Sequence, residues 1–151
     1  MSLRERIQED TTAAMRSGDV LRRDVLRMAT NAAYNLEKSQ QRDLTEDELI
    51  GVLTREVKQR RESIEAYRAG GREDLASREQ AELEILTEYL PEPLTDEQLD
   101  QLVAEGIAAT GSATPRDLGK VMGWLTPKTR GRADGKVVSS KVAAALAGQG
   151  G

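Results

Sequence analysis

Tyr89-Leu90-Pro91-Glu92-Pro93-Leu94 is the stretch on which the reading of this chain turns. Two prolines one residue apart cannot sit inside a helix, and each favours an extended backbone at the residue before it. On both sides of the break the apolar residues recur at helical spacing, so it reads as a boundary between two helical domains. Upstream, Ser2 with Glu5 and Thr45 with Glu48 form capping boxes. They open helices that close at Ser17-Gly18 and Gly70-Gly71. Between them a helix from about Asp19 to Ser39 carries Leu21, Val25, Met28, Ala32 and Leu36, and a fourth, from about Glu73 to Leu90, carries Leu75, Leu83, Leu86 and Leu90.

Downstream of the break, Thr95 and Gln98 form a third capping box, ahead of Leu99, Leu102, Val103 and Ile107 and a stop near Gly111. Thr114-Pro115 places a cap before a proline at the first helical position and predicts a short helix to about Leu125. A loop over Thr126–Asp134 and a last helix with Val138, Val142 and Leu146 complete the plan. No segment alternates as a strand does. The expected fold is all-α: an N-terminal four-helix bundle-like domain over 1–90, a small three-helix domain over 94–147, and a frayed tail at 148–151. The second domain is near the lower size limit for an independent core.

Composition removes much chemistry. The 151 residues include no cysteine and no histidine, so thiol nucleophiles, disulfides, imidazole bases and the usual zinc ligand sets are excluded. No pattern singles out a catalytic carboxylate pair, and neither a catalytic residue nor a metal site nor a cofactor is expected. Gly119-Lys120 lacks the spaced glycine and the following Ser/Thr of a P-loop. The start, MSLRERIQED, is charged, and no apolar run approaches the roughly 18 residues of a membrane span. A cytoplasmic location is the expectation.

The formal charge of −4 hides an asymmetry. From Arg116 to Lys141 there are seven basic residues against two acidic ones, whereas residues 1–115 hold 15 basic and 24 acidic residues. Within the basic stretch, Gly119 and Gly123 lie four apart on one helical face, with Lys120 and Trp124 beside them. Those glycines either admit a closely packed helix or leave the backbone open to a ligand. Trp124 reads as a core residue, with base stacking as the alternative. The following loop carries Lys128, Arg130, Arg132 and Lys136, relieved by Gly131 and Gly135, and leads into a helix N-terminus whose free N–H groups attract anions. This is a candidate phosphate cradle. Arg55, Lys58, Arg60 and Arg61, interleaved with Glu56, Glu62 and Glu65, read instead as an exposed, salt-bridged face. Arg22, Arg23 and Arg27 read the same way, and Glu79, Glu82, Glu84 and Glu88 as solvated acids.

The ordered set Asp117-Leu118-Gly119-Lys120-Val121-Met122-Gly123, Pro127-Lys128 and Arg130-Gly131-Arg132-Ala133-Asp134-Gly135 closely resembles the signature of the YqeY-like family. The opening Met1-Ser2-Leu3, the stretch Arg55–Arg60 and Tyr89-Leu90-Pro91 extend the likeness over almost the whole chain. Thr126 and Thr129 stand where that family often has apolar residues, and Trp124 is bulkier than its usual occupant. The family shares its C-terminal part with the tail domain of GatB, the B subunit of glutamyl/aspartyl-tRNA amidotransferase. The resemblance implies a non-catalytic tRNA-interacting module. Lys120, Lys128, Arg130, Arg132 and Lys136 would then contact RNA phosphates, and Gly119, Gly123, Gly131 and Gly135 would admit backbone N–H groups. It also implies alternatives: an accessory factor of the glutamine-dependent carbon–nitrogen ligase, with amidotransferase or aminoacyl-tRNA synthetase components as partners, or a protein-interaction adaptor. Neither a membrane nor DNA is among the expected partners.

Overall fold

The computed structural model describes residues 1–149 and contains seven α-helices and no strand among them. The fold is all-α. The chain divides into two compact units, Met1–Leu90 and Pro91–Gly151.

The first unit is built from α1 (Leu3–Ser17), α2 (Val20–Gln40), α3 (Glu46–Ala69) and α4 (Glu73–Thr87). Both capping boxes form: Ser2 Oγ accepts from Glu5 N, and Thr45 Oγ1 accepts from Glu48 N. Gly18 ends α1 in the left-handed conformation at φ +79, which only glycine adopts without cost. Val25, Leu26, Leu53, Ala76 and Leu86 are fully buried at the centre of the unit.

Two polar expectations in this unit are corrected. Arg60 is not on an exposed face but buried. Its Nη1 donates to Glu56 O and to Glu56 Oε2 (2.9 Å), and its Nε lies 3.4 Å from Glu82 Oε2. A guanidinium leaves water only when carboxylates go with it, and here α3 and α4 each supply one. Glu82 is therefore not a solvated acid. Glu88 is exposed, as a solvated acid should be, and takes two hydrogen bonds of 2.6 and 3.2 Å from Arg22, which hold it below the usual carboxylate range. Next to it the buried Tyr89 donates to Asp10 Oδ2 (2.6 Å), with the Arg6 guanidinium 4.6 Å from its ring centroid.

The second unit comprises α5 (Asp96–Thr110), a 3-10 turn (Pro115–Asp117), α6 (Leu118–Thr129) and α7 (Gly135–Gln149). Leu99, Val103, Ile107, Val121, Leu125, Val138, Val142 and Leu146 form its core. Each fully buried leucine contributes about 1.5–3 kcal/mol.

Two boundaries differ from the sequence reading. The helix expected to stop at Leu125 continues to Thr129, with Pro127 inside it. Pro127 forfeits one hydrogen bond, but polar side chains serve the neighbouring carbonyls. Thr126 Oγ1 donates to Met122 O (2.7 Å), Thr129 Oγ1 to Leu125 O (3.2 Å) and Lys128 Nζ to Trp124 O (3.4 Å). At the other end, α7 runs to Gln149, past the start of the expected tail at 148. The rest of that expected tail, residues 150–151, lies outside the described residues.

Candidate nucleic-acid interface

The α6–α7 region holds every residue singled out as a phosphate contact. At about 100° per residue, Gly119, Gly123 and Pro127 fall along the outward face of α6, with Lys120 on one border and Trp124 beyond it. Gly119 and Gly123 are exposed, and a Cβ added at either would meet nothing within 4 Å. They do not serve close helix packing within the unit. The packing glycine is Gly106 on α5, where an added Cβ would lie 2.9 Å from Trp124 Cε3. The sequence reading missed it, because only the fold brings the indole to that position. Trp124 is half-buried against the core of the unit, and the Lys128 ammonium stands 3.8 Å from its ring centroid.

The loop between α6 and α7 is short and tightly bonded. Arg130 N donates to Thr126 O, and both Arg132 N and Ala133 N donate to Thr129 O. Gly131 makes the reversal at φ +75. The cations therefore do not hang from a nine-residue loop, but from the last turn of α6, a short turn and the first turn of α7.

The five cations differ in what holds them. Lys120, Arg130 and Lys136 are exposed, and none makes an ion pair with a carboxylate of its own unit among the described residues. Lys128, also exposed, is engaged with the ring and carbonyl of Trp124. Arg132 is half-buried and ties the turn to the connector, its Nε donating to Glu92 O (2.9 Å) while its own carbonyl accepts from Leu94 N (2.9 Å). Lys141, at the end of the basic stretch, is paired with Asp100 (2.7 Å), which raises its pKa.

The N-terminus of α7 departs from the expected open cradle. Asp134 caps it, its Oδ1 accepting from Lys136 N at 2.9 Å. A carboxylate thus already occupies part of the positive pole that an incoming anion would use. Gly135 opens the helix with nothing within 4 Å of an added Cβ. At the start of α6, Asp117 has its pKa lowered by the N–H groups of Ala113 and Thr114, with the Lys120 charge adding to the effect. What remains for ligand contact is a bare, glycine-lined helical face with unneutralised cations along it and at its end. Positive charge beside bare backbone is the arrangement that phosphate contacts require.

Comparison with known proteins gives this geometry its relatives. The chain is similar to "Altered inheritance of mitochondria protein 41, mitochondrial" of Pyrenophora tritici-repentis, with 31% identity over 140 residues covering 91% of this chain and 77% of the relative. The proteins of the same name from Lachancea thermotolerans and Vanderwaltozyma polyspora are 27% and 24% identical; 90% of this chain matches each, over 76% and 77% of their lengths. All three are named as mitochondrial proteins, which overturns the cytoplasmic expectation drawn from composition and the charged start. Composition reports solubility and redox tolerance, which a mitochondrial protein shares with a cytoplasmic one. Matched by the family's pattern over residues 4–146, the chain belongs to the family described as Yqey-like protein.

Proposed function

We propose that this chain is a non-catalytic tRNA-interacting module whose second unit contacts the RNA backbone along α6 and at its junction with α7. One observation carries the reading. Lys120, Arg130 and Lys136 stand exposed without a carboxylate partner of their own unit among the described residues, and Gly119 and Gly123 present bare backbone between them. A folded RNA is engaged chiefly by shape, phosphate and 2′-hydroxyl contacts, which a smooth cationic face supplies. Lys128 adds a fourth cation. Arg132 is anchored through its Nε to Glu92 O, which leaves its two Nη groups to face a phosphate.

A filter-binding titration against total tRNA at two salt concentrations tests the reading. With about four phosphates engaged, the logarithm of affinity falls with log salt at a slope of roughly −3. The Lys120→Ala/Arg130→Ala double variant weakens binding at least tenfold while its melting temperature stays unchanged. Equal affinity in that folded variant rejects the proposal.

In a second reading, a protein-interaction adaptor, the basic second unit docks on an acidic protein surface and the first unit, with Met15, Val20, Leu21 and Met28 exposed, serves as a second face. Competition separates the two. Bound tRNA is displaced by other structured RNA if the first reading holds, and by acidic proteins if the second does.

A further inference from the structure

We propose that Trp124 is a stacking platform for one unpaired nucleobase of the bound RNA, and that Lys128 is the cation that covers the ring in the free protein and moves to the adjoining phosphate on binding. The proposal rests on the RNA reading above and adds a base-contacting residue to it. Three observations converge on Trp124. First, the indole is braced, since only the absence of a side chain at Gly106 lets its Cε3 and Cζ3 edge come so near to α5, where Leu125 Cγ also stands 3.5 Å from the place of that missing Cβ. A braced ring loses little freedom on binding. Second, the ring face bearing Lys128 is covered by a flexible ammonium 3.8 Å from the centroid. The accompanying bond to Trp124 O is long, at 3.4 Å, so the cover is readily displaced. Third, Trp124 borders the bare face formed by Gly119, Gly123 and Pro127, with Lys120 one turn before it and Lys128 one turn after. A strand laid along that face has phosphate partners on either side of the ring.

The exchange is favourable in kind at each step. Lys128 gives up a cation–π contact at an exposed site for a charge-assisted bond to phosphate, and the uncovered ring gains a base. Stacking of this sort tolerates any base, because every base has a π-face. It requires only that the base be unpaired, as in the loops and bulges of folded RNA. The ligand class is thus RNA with an accessible unpaired nucleotide, in contrast to uniform duplex.

Trp124 is the only tryptophan in the chain, so its emission reports on this ring alone. The experiment titrates the full chain with a short single-stranded uridine oligonucleotide and with an RNA duplex of equal length lacking unpaired bases. The oligonucleotide quenches Trp124 emission and the duplex does not. Trp124→Leu lowers affinity for the single strand about tenfold and for the duplex less than twofold. Trp124→Tyr, which retains a π-face, keeps most of the single-strand preference; a purely structural indole would make the Tyr and Leu variants alike. Lys128→Ala retains the quenching and makes the salt slope shallower by about 0.7. If both RNAs bind without any emission change and Trp124→Leu weakens them equally, the platform is refuted while the backbone reading stands. If neither RNA binds, both fall together.

Discussion

Gly106 on α5 and Trp124 on α6 are sterically complementary: a methyl group on the first would lie 2.9 Å from Cε3 and 3.3 Å from Cζ3 of the second. The close approach of these two helices is set by the pair, and the small domain places its largest side chain against its smallest.

Gly106→Ala therefore sets two effects against each other. Alanine gains about 1 kcal/mol of helix propensity over glycine, while forcing a methyl group into a packed contact costs about 1–3 kcal/mol. The expected net result is a loss of about 1 kcal/mol in urea unfolding. In a Trp124→Ala background the clash vanishes, and the same substitution raises stability by up to about 1 kcal/mol. A double-mutant cycle checks this change of sign, and an effect of Gly106→Ala that is independent of residue 124 would refute the pairing.

Gly119 and Gly123 behave in the opposite way. With nothing within 4 Å of an added Cβ, Gly119→Ala and Gly123→Ala each stabilise the fold by about 0.5–1 kcal/mol in thermal or urea melts. If the bare face receives the RNA backbone, the double alanine variant also binds tRNA more weakly, by about fivefold or more. More stable and equally tight-binding protein would mean that these glycines are not at the contact.

Acid sensitivity should appear at the start of α3. Glu48 has its pKa lowered from 4.5 to about 2, first by its hydrogen bonds from Arg42 and then by the N–H of Thr45. A group depressed in the folded state binds its proton more readily when unfolded. Its stabilising contribution is thus complete above about pH 4.5 and is lost as pH falls toward 2. Melting curves between those limits should show the advantage of wild type over Glu48→Gln shrinking steadily, and a constant difference would argue against the ion pair.

Much of the architecture was legible because its signals are local. Ser2 with Glu5, Thr45 with Glu48 and Thr95 with Gln98 lie three residues apart and form their boxes whatever surrounds them. What escaped depends on partners far away in sequence. Arg60 looks like any cation on a charged helix until α4 brings Glu82 to it. Gly106 looks ordinary until Trp124 arrives, and nothing local shows that Arg132 Nε will be anchored to Glu92 O. Pro127 misled for a different reason. A proline costs a helix one bond, and Thr126, Lys128 and Thr129 had already provided for the carbonyls around it. Of the candidate interface, the glycine face and the cations could be read from spacing, but their division into exposed, ring-bound and backbone-bound groups could not.

The strap between Arg132 and the segment just after the first proline fixes where the C-terminal unit can be excised. Arg132 Nε holds Glu92 O, and the Arg132 carbonyl holds Leu94 N, so two hydrogen bonds stitch the connector to the turn ahead of α7. A fragment begun at the α5 capping box would discard both, loosening the very turn that displays Arg130. The residues that look like a disposable tether are part of the scaffold, and a self-standing fragment has to start no later than Pro91.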